Sequence, residues 1–191
     1  MASEVGIVNM ALSKLGVAAL TALTDDSPAA RLANREYSVY RDEMLREHPW
    51  GWATKRASIA ASVTGPAWEF ENAYPLPADC LKVQALNNPS RYDYQIERTA
   101  DGTVIATNLP TPLEIKYTAR VTDPNDMDDK FREALAARLA LEWSEALTGI
   151  STLSEALEKR YLLKLKDAKG IEGQENSVSE YAVYSWTNAR F

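Results

Sequence analysis

One histidine and one cysteine, His48 and Cys80, are the only imidazole and thiol in the chain. A thiol becomes a nucleophile when a base sits within hydrogen-bond reach, and nothing in the sequence places these two together. His48 precedes Pro49 at the end of a helical pattern, where an imidazole interacts well with the last carbonyls and the dipole. The plainer reading is a structural histidine and a buried thiol. No GxSxG, GxxxxGKS/T, HExxH or GxGxxG occurs. The run Asp123-Pro-Asn-Asp126-Met-Asp128-Asp129 invites a calcium reading but lacks the central glycine and distal glutamate of an EF-hand. It reads better as the negative first turn of a helix. Any two of the 27 acids could meet across a glycosidic bond, yet no pair is singled out by spacing. The sequence therefore assigns no catalytic residue, no metal ligand and no cofactor.

The aromatic set Trp50, Trp52, Trp68, Phe70 and Tyr74 could line a ligand groove or form a hydrophobic seam; the seam is the expected reading. Lys55-Arg56 and Lys159, Arg160, Lys164 and Lys166 are too sparse for a DNA footprint. They suit a solvated face or an inter-subunit salt-bridge surface.

The elements that must carry these residues follow from periodicity. Ser3 is a predicted N-cap, with Val5, Val8, Leu12 and Leu15 on one helical stripe and Gly16 closing it. Val17–Thr24 reads as a packed connector. Asp25-Asp26-Ser27-Pro28 then starts a helix of ~20 residues with Ala29, Ala33, Tyr37, Tyr40 and Met44 inward, and Pro49 stops it. Seven of nine prolines lie between Pro49 and Pro112, which excludes a continuous helical bundle there. Alternating runs (Leu81, Val83, Ala85; Tyr92, Tyr94, Ile96; Leu113, Ile115, Tyr117, Ala119) predict strands with one buried face. Asp101-Gly102 predicts a hairpin, Ser58–Val63 and Trp68–Tyr74 a second across Gly65-Pro66, and the whole an antiparallel sheet of about 4–6 strands.

After Asp123-Pro124 the helical period returns. Phe131, Leu135, Leu139 and Ala146 share a stripe, Trp143 faces elsewhere, and Gly149 ends the helix. Leu153, Leu157, Tyr161, Leu165 and Ala168 form the next stripe, so the two make an antiparallel hairpin. From Gly170 a polar, glycine-containing stretch reads as an extended linker to YAVYSWTNARF. A tail holding Tyr181, Tyr184, Trp186 and Phe191 wants a surface to cover it. The expected fold class is α+β: an antiparallel bundle of about four helices (1–49 and 125–169), an inserted small antiparallel β-sheet domain (50–124) and an extended C-terminal tail (170–191).

At 191 residues, 46% hydrophobic and 25% charged, the chain can bury a real core. A net charge of -6 argues against a phosphate-gripping surface, though not against a wall that DNA slides past. The expectation is an acidic globular protein without a membrane span or secretory signal, made in a reducing cytoplasm.

Four phrases carry a resemblance: Asn9-Met-Ala-Leu-x-x-Leu-Gly16, Asp25-Asp26-Ser27-Pro-Ala-Ala, His48-Pro-Trp50-x-x-Ala-x-x-Arg56, and Ala73-Tyr-Pro-Leu-Pro-Ala-Asp-Cys80-Leu-x-Val83. In that order, with the Trp186-x-x-Ala-Arg190 ending, the chain resembles the tail tubular protein A family of tailed bacteriophages, the head-to-tail adaptor (connector) proteins. The resemblance departs in a short sheet region and in Gly51 between two tryptophans, which leaves the subfamily open. It implies a structural virion protein of the neck, assembled in the host cytoplasm: a twelve-fold ring around a channel for passing genomic DNA, without sequence-specific DNA binding. The implied partners are the portal protein above and the tail nozzle protein below. The tail residues Tyr181, Tyr184, Trp186, Arg190 and Phe191 are the expected partner-binding set. The competing reading is a tail-associated polysaccharide hydrolase, resting on the aromatic-rich middle and abundant carboxylates. A third is a small protein-interaction module.

Overall fold

A computed structural model describes residues 1–66, 68–87, 93–99 and 102–175. Among the described residues the chain is α+β, with four long helices and two small three-stranded antiparallel sheets. Helix α1 (Glu4–Leu15) starts where the Ser3 hydroxyl accepts from Gly6 N–H and ends at Gly16, whose φ of 70° suits a residue without Cβ. Asn9 then fastens the connector by accepting from Leu20 N–H at 2.7 Å and donating to Leu20 C=O at 2.9 Å. Asp25 accepts from Thr21 and Ala22 N–H, and Asn34 donates to Leu23 C=O. Polar side chains thus satisfy a short connector that cannot bond to itself. Helix α2 (Pro28–Glu47) begins on the Ser27 cap and buries Ala29, Ala30, Leu32, Ala33, Tyr37, Met44 and Leu45.

Helix α3 (Asp129–Thr148) follows the Asp128 N-cap, whose carboxylate accepts from Lys130 and Phe131 N–H. It packs against α1, α2 and α4 (Ser154–Glu175). With three neighbours it is buried on most of its circumference, and Ala134, Ala136, Ala137 and Ala140 suit it to that place. Small side chains let neighbouring helices close in without leaving voids. Trp143 is fully buried, and its indole N–H donates to Glu36 of α2 at 2.9 Å. The tryptophan expected to face elsewhere therefore joins the stripe, while Ala146 is exposed.

Strands β1 (Thr54–Ile59), β6 (Leu113–Ala119) and β3 (Cys80–Leu86) form one sheet in the order β1-β6-β3. Strands β2 (Asn72–Pro75), β5 (Gly102–Thr107) and β4 (Tyr94–Thr99) form the other, in the order β2-β5-β4. Both contribute to one apolar cluster, with Tyr74 and Ile105 from the second sheet meeting Leu113, Ile115 and Tyr117 of the first. A larger cluster spans the four helices and takes in Trp50, Ala53 and Leu81.

Several expectations are corrected. The β4–β5 hairpin forms, with Arg98 opposite Thr103. The second forms no strand ladder: β1 pairs with β6 and β2 with β5, and its expected arms are joined by one main-chain bond, Ser62 N–H to Ala73 C=O at 2.7 Å. Ala57 and Ile59 lie opposite Ile115 and Leu113, whose alternating apolar face offers a better partner than the proline-containing segment that follows β1. In β3, irregular register between Cys80 and Lys82 and between Val83 and Ala85 turns Ala85 outward, while Gln84 donates to the hydroxyls of Thr54 and Thr118. Strand β4 has no buried face at all. It is an edge strand, so only β5 shields it.

The aromatic set also divides. Trp50 is 1% exposed, but Trp68 is 78% exposed. Glu69 has φ 71°, and Phe70 N–H bonds back to Trp68 C=O at 2.9 Å. This three-residue turn buries Phe70 and throws Trp68 outward. At the far end, α4 continues to Glu175, so Gly170–Glu175 is helix rather than linker. Lys169 bonds Glu47 at 2.7 Å, and Glu172 accepts from Gly51 N–H. Those contacts hold the last turns against the rest of the chain and outweigh the low helix propensity of Gly170 and Gly173. The partner-binding residues expected from the sequence, Tyr181, Tyr184, Trp186, Arg190 and Phe191, lie outside the described residues.

The two tryptophans should separate in a denaturant titration. Trp50→Ala is expected to cost about 3–5 kcal/mol, the range for a fully buried large aromatic, whereas Trp68→Ala should stay within about 0.5 kcal/mol of wild type. Equal effects would contradict this division of the aromatic set.

Candidate interaction surfaces

The residues singled out for chemistry come together in two places. The first is the junction where α2 ends. Pro49 halts the helix, His48 adopts an extended backbone, and Trp50 turns back so that its indole N–H donates to Met44 C=O at 3.0 Å. Its ring meets His48 edge-on at a centroid distance of 4.8 Å and Phe131 at 5.2 Å. Trp52 lies 4.9 Å from the same Phe131 ring. Gly51 N–H donates to Glu172, which is 93% buried, and Tyr161 and Lys169 converge on Glu47. Burial, with Lys169 nearby, lowers the His48 pKa, so its imidazole is neutral at pH 7. Among the described residues no hydrogen bond links His48 to Cys80. The His48 ring packs edge-on against Trp50, and the Cys80 thiol sits half-buried at the start of β3.

The second is the start of β3. Lys55 Nζ bonds Asp79 at 2.8 Å, and the Tyr117 hydroxyl donates to the same carboxylate at 3.1 Å. Lys55, then Tyr117, hold the Asp79 carboxyl below its ordinary range. Burial and the adjacent Asp79 push the Tyr117 hydroxyl up to about 12. Burial raises the Cys80 thiol, Asp79 adding to it, so the thiolate is scarce at neutral pH. These are staples between β1, β3 and β6, not an acid–base pair.

The acidic run is absorbed by local structure. Asp123 caps a short turn over Pro124–Asp126, Asp128 caps α3, and Asp129 pairs with Arg132. No group of three or more His, Cys, Asp or Glu side chains among the described residues is placed to hold a metal.

What remains are surfaces. A groove of about 640 Å³ runs between β3 and the β4–β5 hairpin, and a hollow of about 530 Å³ lies over the far ends of β1, β6 and β3. Val39 on α2 is 51% exposed, and Leu162 and Leu163 on α4 are 53% and 64% exposed. The paired leucines fall off the Leu157–Tyr161–Leu165 stripe, a signal visible in the sequence that went unused. The groove had no such signal, because its walls are far apart in the chain.

No protein-family model matches the chain, and no curated protein matches it.

Asp79 gives a pH test with a definite sign. Its folded pKa lies below the unfolded value of ~3.9. Its stabilisation is therefore complete above that value and disappears as pH falls through the folded pKa. Asp79→Asn should lower the urea midpoint at pH 7 and leave it unchanged near pH 2. A deficit that persists in acid would show that packing, not charge, is what Asp79 supplies.

Proposed function

We propose that the chain is the subunit of a head-to-tail adaptor ring in the neck of a tailed bacteriophage, a structural protein without a catalytic role. One observation carries this reading: four sequence phrases in the family's order between Asn9 and Val83. In this reading residues 1–49 and 125–169 form an antiparallel bundle that stands side by side with its copies in a twelve-membered ring. Residues 50–124 project from the bundle as an inserted sheet domain.

Two features support it. A closed ring needs different surfaces on the two flanks of each subunit, and exposed apolar side chains occur on separate helices, Val39 on α2 and Leu162 and Leu163 on α4. A net charge of -6 suits a channel wall that passing genomic DNA should not adhere to. The portal protein lies above the ring and the tail nozzle protein below. Tyr181, Tyr184, Trp186, Arg190 and Phe191 are the contacts offered to them.

Negative-stain electron microscopy of the protein mixed with its portal is expected to show a ring stacked on the portal. A protein that stays monomeric and ignores the portal overturns the adaptor reading. Deleting Val178–Phe191 should leave the circular dichroism spectrum unchanged and abolish portal binding; undiminished binding would remove the tail from the contact.

A further inference from the structure

We propose that the groove between β3 and the β4–β5 hairpin is the docking site for a segment of this same chain, residues 180–186, which lie outside the described residues. The groove is large enough for aromatic side chains, at about 640 Å³. Leu76, Leu81 and Val83 form apolar wall, and Ile96 of the uncovered edge strand is 53% exposed beside them. Nothing among the described residues covers this face of β4.

The groove also has a charge preference. Arg46 and Lys82 line it, and each donates only to a main-chain carbonyl, Arg46 to Leu81 at 2.6 Å and Lys82 to Arg46 at 3.2 Å. Neither has an ion-pair partner among the described residues, on a chain whose acids outnumber its bases by 27 to 21. The occupant that fits is an acidic residue followed by aromatics. Beyond Glu175 the chain holds one acid, Glu180, and it is followed by Tyr181, Tyr184 and Trp186.

Reach is sufficient. Helix α4 is fastened by Lys169 to Glu47, the residue after Arg46, and by Glu172 to Gly51. When extended, the five residues 176–180 span up to ~16–18 Å, which is the reach of Glu180, and the eleven residues 176–186 span up to ~36–40 Å. Docking in this way covers the aromatic segment and the exposed Ile96 side chain of β4 at once, which keeps both from associating with other chains. It does not depend on the adaptor reading, because it concerns the isolated chain.

Cys80 lines the groove and is the only thiol, so it reports on occupancy. In the full-length protein, alkylation of Cys80 by iodoacetamide should accelerate about tenfold or more when Tyr181, Tyr184 and Trp186 are all replaced by alanine. That is the protection given by a contact open in about 10% of molecules or fewer. Lys82→Glu alone should accelerate it in the same direction. In W186C or Y184C, mild copper-phenanthroline oxidation should form a disulfide to Cys80 within one chain, read as a mass loss in a monomer. Equal alkylation rates in the wild type and the triple variant would overturn the proposal. Disulfides formed only between chains would overturn it too, assigning the groove to a second copy.

Discussion

The contact on which the rest of the structure depends is the wedge of Trp50 between the end of α2 and the start of α3. Its indole N–H donates to the Met44 carbonyl in the last turn of α2, and its ring packs on Phe131. A helix end has orphan carbonyls, and a buried tryptophan needs a hydrogen-bond acceptor; each satisfies the other. Because Phe131 is in the first turn of α3, the same wedge sets where a distant part of the chain begins its helix. Trp52, which touches both Trp50 and Phe131, leads directly into β1. This edge-to-face cluster of rings joins the helices to the first sheet, together with the ties from Arg46 to Leu81 and from Asp42 to Arg120.

Much of the helical part was legible because its signals are local. Ser3, Gly16, Ser27-Pro28 and Gly149 act within four residues of where they stand, and each is found doing what its type predicts; of the acidic run, Asp129 lies in the first turn as expected while Asp128 caps it. Strand pairing was less legible, because partner choice is decided by residues far away in sequence. The segment after β1 looked able to fold back on itself until Leu113, Ile115 and Tyr117 were available as a competing face. Trp68 misled for a related reason: aromatic composition signals burial on average, but a single turn at Glu69 decides which ring goes in. Helix α4 outran its sequence-based end because the contacts to Glu47 and Gly51 come from another part of the chain.

The phrases that carry the family resemblance turn out to be structural punctuation. Asn9 fastens a connector, Gly16 ends a helix, Ser27 starts one, and Trp50 forms the wedge. Tyr74 is fully buried and donates to Leu109 C=O at 2.7 Å, and Asp79 ties Lys55 to Tyr117. Residues of this kind identify a fold because few alternatives solve the same local problem. The candidate working parts are instead outer faces, such as the paired leucines of α4 and the groove beside β4. There the sequence is bound only by what comes to cover it.

The fastening of α4 near its end has a mechanical consequence. Helix α4 could have been secured only along its middle, and its last turns would then unwind one hydrogen bond at a time under tension. Instead Lys169 and Glu172 are tied across to Glu47 and Gly51, so a pull on the end of α4 at Glu175 meets the first tie three residues in and the second six residues in. Load entering from the C-terminal side passes straight to the junction between helices and sheet. Fraying of α4 from its last turn is thereby opposed by contacts that come from outside the helix.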